Sequence, residues 1–179
     1  MTDTQEGTVL GDGRRWTRGD WLHTPTAGET LAAANLFIDG VDARADDDTD
    51  RLETVCGSDN PSVAVLARTA LGLFAESLRA AGPDMLARMR AETVNVAAEY
   101  GSNAVAVGRL ETLALAEALV LGEDDRAMEL AIGSEIPMRG HWVSAIVMQK
   151  RLLNGPQQRQ AIALFRELIN RFNPEGGQT

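Results

Sequence analysis

The sequence predicts an all-α protein, in which about seven helices pair as antiparallel helical hairpins. Apolar residues recur at spacings of three and four along most of the chain after residue 25. Residues that cap or break helices separate these periodic stretches. The long alternation of apolar and polar residues that is typical of strands does not occur in that part of the sequence.

The first helix is predicted over residues 26–45. Thr26 and Glu29 have the spacing of a capping box at its start, and apolar residues then recur on one side. Acidic residues replace this pattern after the helix. Residues 46–60 are therefore predicted to form an acidic loop.

Breaks in the pattern divide the rest of the chain into further helices. Asn60 followed by Pro61 is a helix cap with proline at the first helical position, and glycine or proline separates most of the others. These helices are predicted over residues 61–81, 83–100, 104–121, 123–132, 137–153 and 157–172. The helix over 104–121 is apolar on most sides, so we expect it to be the most buried.

The helices are expected to form one domain, because 179 residues are typical of a single domain. Its predicted limits are residues 26–174, between an N-terminal arm over 1–25 and a frayed tail over 175–179. In the arm, a Gly-Asp-Gly turn separates the stretches 8–10 and 15–17. These two stretches can pair as a small β-hairpin.

Glycine breaks with similar surroundings divide the helices into three hairpins, which cover residues 61–101, 103–135 and 137–173. Ala161 and Phe165 are four residues apart, Pro174 follows them, and Gly122 precedes Ala127. This pattern resembles the second helix of a tetratricopeptide repeat, although the Trp-Leu-Gly-Tyr order of the first helix is missing. The resemblance implies a short solenoid with a protein-binding concave face. A globular bundle without true repeats is the alternative.

The net charge of −9 argues against a protein that coats nucleic acid. The stretch 39–53 holds seven acidic residues, including Asp46, Asp47 and Asp48. One interpretation is a solvated loop that keeps the protein soluble. The other is an acidic segment that imitates a nucleic-acid backbone and binds a basic partner.

The N-terminal arm carries further candidates for binding a partner. Arg14, Arg15 and Arg18 form a small basic cluster, and Trp16 and Trp21 are two of the three tryptophans. Because an isolated hairpin is only marginally stable in water, we expect these rings to dock on a surface. That surface is either the protein's own helices or a second copy or partner.

The sequence contains few residues for catalysis or metal binding. It has two histidines and a single cysteine, Cys56, which leaves little for a zinc site and excludes a disulfide within the chain. We predict no catalytic residue, metal or cofactor. Arg109, Glu111, His141 and Trp142 are the candidate residues of a pocket between helices.

We therefore expect a non-enzymatic protein–protein interaction module, an adaptor, scaffold or regulator that also forms homo-oligomers. The alternatives are a small-molecule sensor or enzyme with a pocket between helices, and the acidic inhibitor described above. No signal peptide or uncharged membrane-length stretch is recognised, which predicts a cytoplasmic protein. Sixteen arginines against one lysine are typical of GC-rich genomes, such as those of actinobacteria or their phages.

Overall fold

The computed structural model describes residues 13–100 and 104–152, together with residues 163, 166 and 167. Within these residues the protein consists of eight α-helices without a strand, which confirms the all-α prediction. Part of the predicted hairpin, 8–10, and most of the predicted helix 157–172 lie outside the described residues. The helices are α1 (Arg18–Leu22), α2 (Ala27–Ala45), α3 (Thr49–Cys56), α4 (Val63–Ala81), α5 (Pro83–Tyr100), α6 (Ala104–Val120), α7 (Asp124–Gly133) and α8 (Met138–Leu152).

Helix α8 lies at the centre of the bundle. It packs against α2, α4 and α6, and every residue from Met138 to Gln149 except Arg139 is buried. The prediction that the helix over 104–121 is the most buried is therefore wrong. Polar residues make α8 look less buried in the sequence, but two of them, His141 and Gln149, have hydrogen-bond partners inside the bundle. For example, Gln149 Nε2 donates a hydrogen bond to Ser77 Oγ at 3.0 Å.

Helices α2 and α8 are far apart in the sequence but pack closely against each other. A β-carbon added to Gly40 of α2 would lie 2.8 Å from Ile146 Cδ1 and 3.1 Å from Val55 Cγ1. In a solenoid each hairpin contacts only its sequence neighbours, so the described helices form a bundle. The resemblance to tetratricopeptide repeats stays a prediction.

Residues 46–60 contain a helix, α3, where the sequence predicted only a loop. The Asp48 carboxylate caps this helix by accepting a hydrogen bond from the backbone N–H of Arg51 at 3.1 Å. Leu52 and Cys56 are buried on its inner side. Two turns are too short for an apolar period to stand out among acidic residues, which is why the pattern missed this helix.

The structure confirms one predicted cap and corrects another. Thr26 Oγ1 accepts the backbone N–H of Glu29 at 3.2 Å, and the Glu29 carboxylate accepts the backbone N–H of Thr26 at 2.8 Å. This reciprocal pair is the predicted capping box. Asn60 does not cap α4, because Ser62 Oγ accepts the backbone N–H of Val65 at 3.5 Å instead. None of the described helices is long and apolar enough to cross a membrane.

Candidate functional site

A buried chain of polar side chains connects α6, α8 and the segment between α7 and α8. The imidazole of His141 is fully buried. Its Nδ1 lies 3.0 Å from Thr112 Oγ1, and its Nε2 lies 3.0 Å from Ser134 Oγ. Ser134 is also hydrogen-bonded to the carboxylate of Glu111 on α6. Buried polar groups need such partners, because burial without them costs free energy.

Thr112 determines which ring nitrogen of His141 carries the hydrogen. The Thr112 hydroxyl donates to the backbone carbonyl of Gly108 at 2.7 Å, so its oxygen accepts from Nδ1–H of His141. Nε2 is then an acceptor that faces Ser134. Burial lowers the pKa of His141 from its ordinary 6.5 to about 4, so the ring is neutral at neutral pH.

Ser134 faces more acceptors than it has hydrogens. Its oxygen accepts the backbone N–H of Ile136 at 3.0 Å. Its single hydroxyl hydrogen reaches one of three acceptors, which are the carboxylate of Glu111, Nε2 of His141 at 3.0 Å and the backbone carbonyl of Ile136 at 3.3 Å. Because the hydroxyl has one hydrogen, the acceptors that it does not reach receive none from Ser134. An additional hydrogen-bond donor at Glu111 would complete the chain.

A cleft of about 390 Å³ opens between α6 and α7 next to this chain. It is lined by Glu111, Ala114, Arg126, Glu129, Leu130, Gly133 and Ser134. Ser134 both lines the cleft and contacts the buried ring of His141. The serine therefore separates an open cleft from a buried histidine.

The structure brings together two of the four predicted pocket residues, Glu111 and His141. Arg109 does not line this cleft, since it lies two residues before Glu111 and two residues of separation place side chains on opposite sides of a helix. Trp142 is fully buried and packs on Phe37 of α2, with 6.0 Å between ring centroids. It belongs to the core and not to the cleft.

Sequence reasoning missed Thr112 and Ser134, which hold the histidine, and Glu129, which lines the cleft. Thr112 is a single hydroxyl within an apolar helix, and Ser134 follows the end of α7. Threonine and serine are common both within helices and just after helix ends, so neither residue stands out in the sequence. Only the packing of α6, α7 and α8 places them around His141, so no spacing in the sequence indicates the site.

The predicted partner-binding tryptophans, Trp16 and Trp21, are buried in the protein's own core, each 3% exposed. Their rings meet edge to face with 5.2 Å between centroids, and the guanidinium of Arg68 lies 4.1 Å from the Trp21 ring centroid. The backbone N–H of Met138 donates to the carbonyl of Arg14 at 3.0 Å. The described part of the arm thus docks on its own chain, and neither ring is an exposed anchor.

The basic residues of the predicted partner-binding set lie at the surface. Arg14 pairs with Asp20, which is also part of the capping box of α1. Hydrogen bonds from Thr17 and the charge of Arg14 lower the pKa of Asp20 despite the opposing effect of burial. Arg15 and Arg18 are exposed.

The acidic residues of that set, Asp46, Asp47 and Asp48, lie at the exposed turn between α2 and α3. Asp47 pairs with Arg44 at 3.6 Å, and Asp48 caps α3. Exposed pairs of this kind contribute about 0–1 kcal/mol. At least two of these carboxylates therefore have local structural contacts.

Two other carboxylates of the acidic stretch share a pair of arginines. Arg51 lies 3.2 Å from Asp39 and 3.4 Å from Asp42. Arg166, near the C-terminus, lies 2.9 Å from Asp39 and 3.3 Å from Asp42. These arginines neutralise part of the charge that an acidic nucleic-acid mimic would present.

No family model, curated protein or solved structure matches this chain. In the part of the chain that the structure describes, no group of three or more His, Cys, Asp or Glu side chains is placed to hold a metal ion. Cys56 is a buried cysteine outside any disulfide. A function is therefore inferred from the cleft and the polar chain behind it.

Proposed function

We propose that this protein is a helical ligand-binding protein, whose cleft between α6 and α7 takes a small molecule. The observation that carries the proposal is the hydrogen-bonded connection from Glu111 and Ser134, which line the cleft, to the buried His141. A buried imidazole needs a hydrogen-bond partner at each ring nitrogen, and here one of these partners, Ser134, also lines the cleft. Binding of a ligand is a reason for such an arrangement beside an open cleft.

The contact between Ser134 and His141 supports binding more than acyl transfer. A serine nucleophile needs a base whose pKa lies near the working pH, whereas the pKa of His141 is lowered to about 4. The other ring nitrogen meets the hydroxyl of Thr112, where a catalytic triad has a carboxylate. The polar chain is therefore suited to orienting a hydrogen bond in the cleft.

A thermal-shift screen of metabolites tests the proposed function. A ligand present at one hundred times its Kd should raise Tm by roughly 5 °C or more. Ala114→Phe places a ring in the cleft and should abolish the shift. Ala32→Phe makes the same change at an exposed position of α2 and should preserve it. If no compound raises Tm, or if both variants respond alike, this cleft is not a binding site.

An adaptor or regulator that binds another protein is a second candidate function. Its support is the exposure of α5, where Met89 and Thr93 are the only buried residues between 83 and 99. Val94 and Val96 are 48% and 38% exposed there. Large apolar residues that remain exposed on a helix are candidates for contact with a partner.

Self-association through α5 is the form of this second function that is tested most directly. Light scattering after size-exclusion chromatography, over a dilution series, gives the oligomeric state. An oligomer that Val94→Glu dissociates supports the interface. An oligomer that Val94→Glu leaves intact, or a monomer at every concentration, contradicts self-association through α5.

A further inference from the structure

We infer that the cleft between α6 and α7 binds a primary ammonium group on a short apolar chain. The inference rests on the proposed function, and it names the chemistry of the ligand. It follows from three features of the cleft. These are the charged residues of the lining, the single hydroxyl hydrogen of Ser134, which faces more than one acceptor, and the apolar residues of the lining.

The charges of the cleft favour a cation. Its charged lining consists of Glu111, Glu129 and Arg126. Arg126 pairs with Glu123 at 2.8 Å, and that hydrogen bond and charge raise the pKa of Arg126. Because this arginine already has a carboxylate partner, the remaining charge of the lining is negative. A cleft whose lining has a net negative charge attracts ligands of the opposite sign.

The hydrogen bonds of the polar chain favour a donor in the cleft. The hydroxyl hydrogen of Ser134 is shared between Glu111 and His141. A ligand that donates to Glu111 from the cleft leaves this hydrogen for Nε2 of His141, so both the carboxylate and the ring nitrogen have a partner. An ammonium group supplies both the hydrogen and the charge. A ligand carboxylate supplies neither, and an alcohol supplies only the hydrogen.

The remaining residues of the lining fit a short hydrocarbon chain. Ala114 of α6, together with Leu130 and Gly133 of α7, contributes the apolar part of the cleft. Leu130 is 36% exposed, so it is still available for contact. A ligand with an ammonium group at Glu111 and methylene groups against Leu130 would use both parts of the lining.

The test is an NMR titration of the full chain with three probes of equal length, n-hexylammonium, n-hexanol and n-hexanoate, at neutral pH and constant ionic strength. We expect n-hexylammonium to bind most tightly, with shift changes concentrated at the amides of Leu130, Gly133 and Ser134. Glu111→Gln should raise its Kd by about 5-fold or more. Glu129→Gln should raise it by about 2-fold.

Glu99→Gln, which makes the same change at an exposed position of α5, should leave the Kd unchanged. Glu129 is exposed, so its variant decides the test if Glu111→Gln does not fold. Tighter binding of n-hexanol or n-hexanoate, or equal Kd values for all three variants, overturns the inference while the cleft remains a binding site. All three probes can fail to bind while the metabolite screen finds another ligand whose Tm shift Ala114→Phe abolishes. That result also overturns only the inference. Failure of both experiments overturns the proposed function as well.

Discussion

The hydroxyl oxygen of Thr112 lies 3.0 Å from Nδ1 of His141 and accepts its hydrogen, although both residues are fully buried. The contact has this direction because the Thr112 hydroxyl donates its own hydrogen to the carbonyl of Gly108. It leaves Nε2 free to meet Ser134 beside the cleft. Thr112 therefore determines the hydrogen position of the buried ring and, together with Ser134, holds its orientation.

Replacing Thr112 by valine should destabilise the protein. The variant keeps the shape of the side chain but leaves Nδ1–H of His141 buried without its acceptor, which costs about 1–3 kcal/mol. Urea denaturation measures this loss as a lower free energy of unfolding. Thr112→Ser is the control, because it keeps the hydroxyl and loses one methyl group. Equal stability of the two variants would contradict the role given to the hydroxyl.

The buried His141 should make stability depend on pH. Its pKa is about 4 in the folded protein, against an ordinary value of 6.5. Between these values the unfolded chain binds a proton that the folded chain does not. Stability is therefore complete above the higher pKa and is lost as pH falls toward the lower one. At about 1.4 kcal/mol per pKa unit, the loss is roughly 3 kcal/mol.

Urea denaturation over a pH series measures this dependence, and His141→Gln removes the titrating group. Carboxylates titrate in the same range, so the quantity that decides is the difference between the two proteins. We expect the parent protein to lose more stability on acidification than the variant. Parallel curves for the two would show that His141 does not stay neutral in the folded state.

Alanine at two helical glycines should have opposite effects. At Gly40 the new β-carbon meets Ile146 and Val55 in the core. The crowding outweighs the gain in helix propensity, so we expect a net loss of about 1 kcal/mol. At Gly72 a β-carbon meets no described atom within 4 Å. Gly72→Ala should therefore gain up to about 1 kcal/mol.

Thermal unfolding of the two alanine variants checks the contact between α2 and α8. Gly40→Ala should lower Tm, and Gly72→Ala should raise it or leave it unchanged. If Gly40→Ala were the more stable variant, α2 and α8 would not approach as closely as the structure shows.

Removing the Trp21 ring should take away much of the stability that the docked arm gives the protein. Trp21 is 3% exposed, and Trp21→Ala should lower the free energy of unfolding by about 3–5 kcal/mol. Leu22 is the adjacent control, since it is 60% exposed and Leu22→Ala should change stability by less than about 0.5 kcal/mol. Chemical denaturation of both variants separates these outcomes. A tolerated Trp21→Ala would mean that the arm does not dock on its own chain.

The predictability of this protein from its sequence differs between its helices and its site. The long helices were predictable because caps and spacing are local signals, as the Thr26–Glu29 capping box shows. The short helix α3 was not, because Asp48 caps only two turns within an acidic stretch. At the site, the sequence indicates Glu111 and His141 as candidate polar residues of a pocket between helices, together with Arg109 and Trp142, which do not line the cleft. Their connection through Ser134 was not predictable, since the three residues lie on different elements.

The order of residues by itself determined where most of the described helices begin and end, because capping and amphipathic periods act over a few residues. It left open whether these helices form a solenoid or a bundle. Tertiary structure decided that α8 is the central helix and that Trp16 and Trp21 dock on their own chain. It also decided that Thr112 and Ser134 hold His141 beside a cleft. The physical reason is that the burial of a polar group depends on its partners, and packing brings those partners from helices that are far apart in the sequence.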